Sequence, residues 1–269
     1  MSAGAALATP RRWQRFSPWK RLARLAFTLF AVAAFVASLR TIEVIPEFLY
    51  DAPDQMTDLF GRMWPMDAGY IGPTLRALVE TLHIATLGTL IAIAIAVPIG
   101  LLAARNITPS LPLNLFAKFV FVTSRSVNSL VWALLFVAVF GPGPLAGTLA
   151  IALRSVGFTG KLLAEALEES NRGSIEALQA AGAGRRATLL LGYWPQVKPA
   201  FWSIALFRWD INIRESAVLG LVGAGGIGVA LDTALNLLYW DQVAVVLAAI
   251  FGVVILAEIV VTTVRAKVL

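Results

Sequence analysis

Long apolar runs, separated by short polar segments, make up most of the chain. Most of these runs reach the length of about 20 residues that a helix needs to cross a hydrocarbon core of about 30 Å. They predict six membrane-spanning helices, at residues 25–39, about 74–104, 113–140, 144–164, 197–219 and 242–264. The predicted fold class is therefore all-α, a polytopic membrane protein with little chain left for a soluble domain.

The composition agrees with this pattern. Of the 269 residues, 58% are hydrophobic and only 14% are charged, whereas about a quarter of an ordinary soluble domain is charged. The chain contains no cysteine, which excludes disulfides, thiolate catalysis and cysteine metal sites. The net charge of +6 follows the membrane topology described next, so we expect no contact with nucleic acid.

Charge is distributed unevenly between the two sides of the predicted membrane. Residues 1–24 contain six basic residues and no acid, whereas residues 41–72 are mainly acidic. Basic segments stay in the cytoplasm, and six spans return the C-terminus, with Arg265 and Lys267, to the same side. A signal peptide would show the same order of basic and apolar regions. No small-x-small cleavage site precedes Arg40, so we expect a retained first helix and two cytoplasmic termini.

Three regions follow from this topology. Residues 1–24 form a cytoplasmic basic segment, residues 25–72 hold the first transmembrane helix and a short outer helix, and residues 73–269 form the core permease domain. In the short outer helix, apolar residues recur at helical spacing and Pro53 suits the first turn. That helix lies either in the outer membrane interface or packed on the bundle as a soluble helix.

Two glycine-rich patterns imitate nucleotide sites. The stretch "GAGGIG" (223–228) matches the dinucleotide-binding G-x-G-x-x-G, but no predicted strand precedes it and no acid follows about 20 residues later. The stretch "GFTGK" (157–161) lacks the P-loop spacing. We therefore expect a tight turn at the first pattern, and no nucleotide site in this chain.

A short charged helix interrupts the apolar pattern at "GSIEALQAAGAGRR" (173–186). We predict a helix over about 174–185 on the cytoplasmic side, with Ser174 as its N-cap. Ile175 and Leu178 form a small apolar face. Arg185 and Arg186 complement the negative end of the helix dipole, and Gly182 lets the chain turn away. The residues alone leave two alternatives open: a solvated loop helix, or an element that docks on a partner.

The stretch "EALQAAGAGRRATLLLGYWP" resembles the EAA motif of ABC-importer permeases, E-A-A, three residues, G, nine residues, I-x-L-P. Glu176, Ala177 and Leu178 fill the first three positions, Gly182 the glycine and Pro195 the proline. Leu178, Gly192 and Trp194 depart from the pattern. The resemblance implies that Glu176 to Gly182 form the coupling helix, which docks on the ATPase subunit; Arg185 and Arg186 flank this ATPase-coupling segment.

A narrower resemblance is to the phosphonate-transporter permease family (PhnE-type). Its matching stretches are "SVNSLVWALLFVAVFGPGPLAGTLAIAL", "KLLAEALEE" and "RWDINIRESAVLGLVGAGGIG"; with the EAA segment they cover most of residues 122–229. The resemblance implies a type I ABC importer permease (MetI-like) fold in a bacterial cytoplasmic (inner) membrane. It implies no cofactor in this chain, with ATP and Mg bound by the partner ATPase. The implied partners are two ATPase subunits, an extracytoplasmic substrate-binding protein, membrane lipid and a second permease copy, as a homodimer or with a close paralogue.

Polar residues within the predicted spans mark candidate pathway positions, because an ionisable group is costly in a membrane. In the third span Arg125, Asn128 and Ser129 share a helical face with Trp132. In the fifth, Arg208, Asn212 and Glu215 share a face, and Asp210 and Arg214 lie opposite. The first two faces line a translocation route for an anion, or Arg208 or Arg214 pairs with Asp210 or Glu215 and fixes helix packing. Asp210 and Arg214, at i and i+4, are expected to form a structural pair.

The sequence thus predicts the permease subunit of an ATP-driven importer for phosphonate or a related phosphorus oxyanion. The chain itself is not expected to be an enzyme, because ATP hydrolysis belongs to the partner. The alternatives are an importer permease for another solute such as methionine, a membrane-embedded enzyme, and a self-sufficient channel or ion-coupled carrier. No acid–histidine cluster supports the enzyme, and no inverted repeat or carboxylate relay supports the carrier.

Overall fold

A computed structural model of the protein describes residues 18–42 and 45–268. Residues 1–17, which include most of the basic N-terminal segment, lie outside the described residues, as do positions 43, 44 and 269. The helices are α1 (Pro18–Thr41), α2 (Pro46–Arg62), α3 (Ile71–Ala103), α4 (Leu111–Ser126), α5 (Ser129–Phe140), α6 (Pro144–Glu168), α7 (Arg172–Ala180), α8 (Arg185–Ala187), α9 (Trp194–Leu219), α10 (Ile227–Asn236) and α11 (Trp240–Val268). The described part of the chain contains no strand, and the all-α prediction is confirmed.

The chain divides into two compact units, residues 1–58 and 59–269. In the first unit, α1 is 24 residues long and would measure about 36 Å at a rise of about 1.5 Å per residue. The sequence predicted Pro53 in the first turn of this helix. Helix α2 begins at Pro46, however, so Pro53 lies inside the helix. The acidic and aromatic residues around 47–50 extend this helix toward its N-terminus.

Three helices, α1, α3 and α11, are long and apolar enough to cross a membrane. Two bent pairs bring the number of candidate spans among the described residues to as many as five. One is α4 with α5, bent by 89°, and the other joins 185–222 to α10 with a bend of 41°. Helix α6 is 25 residues long but carries four charged residues, and it is not among these candidates.

The predicted third span is therefore broken, and the expected helical face through Arg125, Asn128 and Ser129 does not exist. Helix α4 ends at Ser126, and both Val127 and Asn128 have extended backbone conformations. The Asn128 side chain accepts a hydrogen bond from the Leu130 amide at 3.2 Å and so caps a new helix, α5. This local cap outweighs the apolar continuity of residues 113–140.

Small residues hold the second unit together at the interface between α3 and α6. A Cβ atom added at Gly88 of α3 would lie 2.7 Å from Ile151 Cγ2 and 3.1 Å from the Thr148 carbonyl oxygen on α6. At Gly147 of α6, an added Cβ would collide with the Ala224 carbonyl oxygen. Backbones approach this closely only where side chains are absent, as is typical of helix packing within membranes.

The close contact at Gly147 gives the first prediction. Gly147→Ala should lower the free energy of unfolding by about 1–3 kcal/mol, because overpacking against a backbone atom forces the helix to shift. The thermal midpoint of the detergent-purified protein measures this change. Gly252→Ala is the matched control, since no described atom lies within 4 Å of its added Cβ in α11. Equal midpoints for the two variants would contradict the close approach.

Candidate functional site

The charged helix predicted on the cytoplasmic side is α7, and it begins earlier than expected. Its N-cap is Asn171, whose side chain accepts from the Gly173 amide at 2.9 Å. Ser174 lies within the first turn, where its Oγ donates to the Asn171 carbonyl at 3.1 Å and accepts from Gln196 Nε2 at 2.9 Å. The prediction of Ser174 as N-cap is wrong, because the asparagine three residues earlier satisfies the helix start first.

The end of α7 is fixed by a glycine in the left-handed region. Gly182 has φ of +84°, and its amide donates to the Gln179 carbonyl at 3.0 Å, while the Ala183 amide donates to the Leu178 carbonyl at 3.0 Å. This is the Schellman arrangement of a helix C-terminus. No described atom lies within 4 Å of a Cβ added at Gly182. Glycine is therefore favoured here by the positive φ of the backbone and not by a steric clash with a neighbouring side chain.

The two arginines after this turn do not complement the end of α7. Arg185 and Arg186 open the separate short helix α8, and both are exposed. The chain then passes through a π-helical turn, Thr188–Tyr193, into α9. The predicted helix over about 174–185 is therefore shortened to α7 because the glycine-bearing turn at 181–184 separates the arginines from it.

The apolar face of α7 packs on its own chain. Ile175 is 4% exposed and belongs to a buried cluster with Leu163 and Leu167 of α6 and Val197 of α9. Leu178 is half-buried, whereas Glu176 and Ala177 are exposed. The exposed surface of α7 is therefore small and mostly polar, because the chain itself covers most of the apolar face.

Two of the departures from the EAA pattern touch each other. A Cβ added at Gly192 would lie 3.2 Å from Leu178 Cδ1 and 3.5 Å from Ile175 Cγ1. The motif has a small residue at the position of Leu178 and a large one at the position of Gly192. This chain reverses the sizes, so that the leucine fills the space which the glycine leaves.

A second group of candidate residues, charged and polar, surrounds Arg208 in the helical core. This arginine of α9 is 4% exposed, and its Nε donates to Ser155 Oγ of α6 at 2.9 Å. Its Nη2 lies 3.6 Å from Glu215 Oε1, and the same oxygen lies 3.3 Å from Arg154 Nε. One glutamate of α9 thus pairs with two arginines from different helices.

A buried hydrogen-bonded chain fixes the position of Arg208. Asn212 Nδ2 donates to Thr89 Oγ1 of α3 at 2.7 Å, and Ser155 Oγ donates to Asn212 Oδ1 at 3.1 Å. Both Asn212 and Ser155 are fully buried. Three helices, α3, α6 and α9, are therefore joined by side-chain hydrogen bonds at one level, and these bonds set the orientation of the guanidinium group.

Arg125 of α4 reaches the same place through an aromatic ring. Its Cζ lies 4.8 Å from the centroid of the Phe158 ring, and Arg208 Cζ lies 5.0 Å from it. Contacts of this kind between a guanidinium and a ring are favourable, more so where water is excluded. We call Arg125, Arg154, Arg208 and Glu215 the arginine cluster; it carries three positive charges and one negative charge.

The polar residues of the broken third span differ in how they contact the arginine cluster. Asn128 Oδ1 accepts from Arg154 Nη1 at 3.5 Å, so Asn128 lies at the edge of the arginine cluster. Ser129 Oγ donates to the same Asn128 Oδ1 at 3.2 Å. The structure thus brings Arg125, Arg208 and Glu215 together. Asn212 is linked to Arg208 through Ser155, and Ser129 is hydrogen-bonded to Asn128 at the edge of the arginine cluster.

Arg154 is the residue of this cluster that the sequence reading did not single out. It lies in the predicted fourth span, in "AIALRSVGF". The signal was present, because an ionisable residue within an apolar span is by default a functional candidate.

On the opposite side of α9, Arg214 pairs with Asp210 at 2.6 Å and with Glu258 of α11 at 3.0 Å, which confirms that this pair faces away from the arginine cluster.

A basic cavity extends from the arginine cluster toward α7. It has a volume of about 360 Å³ and is lined by Arg125, Lys118, Lys161 and the two acids Glu165 and Glu168. The C-terminal end of α6 forms one wall, and that end leads directly into α7. Within the described residues, no group of three or more histidine, cysteine or acidic residues could hold a metal ion.

Comparison with known proteins gives close sequence relatives. The phosphate-import permease protein PhnE of Mycolicibacterium smegmatis is 36% identical over 239 residues, 88% of this chain and 45% of that protein. The phosphite transport system permease protein PtxC of Stutzerimonas stutzeri is 35% identical over 242 residues, 89% of this chain and 86% of that protein. The chain thus spans less than half of the first relative and most of the second.

The fold is that of known importer permeases. A chain of the MetNI methionine ABC transporter, in an inward-facing conformation, aligns with a TM-score of 0.67 at 21% identity, over 76% of this chain and 100% of that chain. A chain of an amino acid ABC transporter aligns with a TM-score of 0.63 at 19% identity, over 74% and 95%. These likenesses confirm the predicted MetI-like permease fold.

A family model covers the region that contains both α7 and the arginine cluster. Residues 96–268 match the family described as "Binding-protein-dependent transport system inner membrane component". The match includes α4 to α11 and the end of α3. The chain therefore belongs to the family of inner membrane components of binding-protein-dependent transport systems.

Proposed function

We propose that the chain is the permease subunit of an ATP-driven importer which carries phosphonate, or a related phosphorus oxyanion such as phosphite or phosphate, across the cytoplasmic membrane. The observation that carries the substrate class is the arginine cluster, which places three arginines against one glutamate in the helical core. Relatives named for phosphate import and phosphite transport match most of the chain.

The route for the anion follows the arginine cluster and the basic cavity. Taking an anion out of water is costly unless cations or hydrogen-bond donors replace its hydration. Arg125, Arg154 and Arg208 supply those charges at the level of α6 and α9, with Asn128, Ser129 and Asn212 as polar neighbours. In the basic cavity Lys118 and Lys161 lie with Glu165 and Glu168, and Lys161 Nζ is 3.3 Å from Glu165 Oε1, so the net positive charge of the cavity comes from Arg125. A site with loose pairing also lets the anion leave.

The surface for the ATPase is the exposed side of α7. Glu176 and Ala177 point away from the chain, while Ile175 anchors the helix on α6 and α9. Two ATPase subunits that bind ATP and Mg would dock at the two copies of this helix. The complete importer holds a second permease copy, as a homodimer, and an extracytoplasmic binding protein that delivers the anion. Both termini of the chain lie in the cytoplasm.

Uptake by the reconstituted importer tests the proposed function. Proteoliposomes with the permease, its ATPase and its binding protein should take up phosphite or methylphosphonate only when ATP is supplied on the ATPase side. Arg125→Gln should lower that uptake by about tenfold or more, since a neutral side chain no longer offsets the cost of a buried anion. Radiolabelled or mass-spectrometric uptake at matched protein content measures the change.

Arg214→Gln is the matched control for this experiment, because Arg214 pairs with Asp210 and Glu258 away from the arginine cluster. Its uptake should stay near that of the native protein. ATP-driven uptake of methionine with none of the phosphorus anions would instead favour the other solute class, which relatives named as probable D-methionine permeases represent at 27% identity. Uptake without the ATPase would refute the importer itself.

Gly182 gives a prediction for coupling. Gly182→Ala must hold a side chain at φ of +84°, which costs about 1 kcal/mol in the left-handed region. The end of α7 should loosen, and fewer anions should be carried for each ATP hydrolysed. Gly184→Ala is the control, because Gly184 has φ of −68° and ψ of 165°, a conformation that alanine adopts freely. Identical ratios of uptake to hydrolysis in the two variants would contradict this role.

The size exchange between Leu178 and Gly192 predicts a reciprocal effect. Leu178→Ala leaves a void and should cost about 1–2 kcal/mol at this half-buried site, and Gly192→Ile should collide with the leucine. The double variant restores the usual sizes of the motif and should recover much of the lost stability, by about 0.5–3 kcal/mol relative to additivity. Thermal midpoints of the four proteins complete the cycle; simple addition of the two losses would disprove the compensation.

A further inference from the structure

The arginine cluster contains buried polar atoms that have no hydrogen-bond partner among the described residues. They are Arg125 Nε, Arg154 Nε, Arg208 Nη2 and Glu215 Oε2. Nearly all buried polar atoms of native proteins have a partner. Four unsatisfied atoms in one group, from α4, α6 and α9, therefore point to a ligand that would complete them.

Glu215 lies near both arginines without a well-formed hydrogen bond. Its Oε1 lies 3.3 Å from Arg154 Nε and 3.6 Å from Arg208 Nη2. A carboxylate that fits an arginine normally accepts short, bidentate hydrogen bonds. The longer contacts of Glu215 neutralise part of the charge and leave both nitrogen atoms without a well-aligned acceptor.

Arg208 is held so that one edge of its guanidinium stays free. Ser155 takes the Nε–H at 2.9 Å, and the chain from Ser155 through Asn212 to Thr89 fixes that serine. The Nη2 atom is left on the side of Glu215 and Arg154. Because the side chain of Arg208 is only 5% exposed, this orientation is set by the protein and not by solvent.

We propose that Arg154 and Arg208 form a transient binding site for a tetrahedral oxyanion, and that Glu215 is an internal counter-ion which the oxyanion displaces. This rests on the proposed function of the chain. Nitrogen atoms of both arginines lie within 3.6 Å of a single glutamate oxygen, so one tetrahedral anion can accept from both at once. The cluster has two positive charges in excess, which a doubly charged anion balances.

Displacement of Glu215 explains how such a site releases its anion. Without a substrate the glutamate lowers the cost of holding three cations close together, of which Arg208 is buried. With a substrate, Glu215 competes for the same two arginines and repels the anion, which keeps binding weak. Arg125, on the Phe158 ring beside Arg208, then lies between the site and the basic cavity that leads toward α7.

The test measures anion affinity apart from transport. The permease with its ATPase, in lipid nanodiscs without nucleotide or binding protein, is titrated with methylphosphonate by calorimetry. Glu215→Gln should bind the anion about tenfold more tightly, because a competing and repelling charge is removed. It should also transport more slowly, since release is delayed. Arg154→Gln should bind about tenfold more weakly, because it loses a charged donor.

Arg214→Gln is again the control and should leave the affinity unchanged. Unchanged or weaker binding by Glu215→Gln, in a complex of native size, overturns the displacement role. If that variant fails to assemble, Glu215→Asp is titrated instead. Its shorter side chain withdraws from the arginines and should tighten anion binding to a smaller extent. Weaker anion binding by Glu215→Asp also overturns the displacement role. If the native protein takes up phosphonate with ATP but neither variant changes the affinity for methylphosphonate, this inference alone is refuted. If the native protein takes up no phosphorus anion, the proposed function is refuted.

Discussion

The burial of Arg208 is the constraint on which the centre of this permease depends. A charged group at 4% exposure in a helical core survives only if neighbouring groups replace its hydration. Ser155 of α6, Asn212 of α9 and, through it, Thr89 of α3 supply that replacement. These three helices are therefore fixed at one level, and small residues such as Gly88 let α3 and α6 approach closely enough for the bonds to form.

Apolar length and charge placement predict much of this architecture from the sequence. They identify α3, α9 and α11 and the shared face of Arg208 and Glu215, because spacing along one helix decides which residues lie on the same face. They do not reveal the break at Val127, because a continuous apolar run hides a cap that forms only when Asn128 turns toward Leu130. Periodicity alone extends a helix through such a break.

Helix α7 shows the complementary limit. The sequence predicts a turn at Gly182, which the structure confirms, yet the helix start and its packed face depend on tertiary contacts. Asn171 competes with Ser174 for the cap, and Ile175 is buried by residues of α6 and α9 that are distant in the sequence. The departures at Leu178 and Gly192 look like a weak match one by one, and only their proximity in the structure predicts that they compensate.

The same two helices carry α7 at one end and the arginine cluster near their middle. Ile175 packs on Leu163 and Leu167 of α6 and on Val197 of α9, and the contact between Arg154 and Glu215 joins α6 to α9. A displacement of α7 therefore acts on both helices at once. The hydrogen bonds from Arg208 to Ser155 and from Ser155 to Asn212 also join α6 to α9, so at this level the two helices resist sliding past each other and transmit such a movement together. The site proposed for the anion is thus built on the same pair of helices that anchors α7, the helix proposed to face the ATPase.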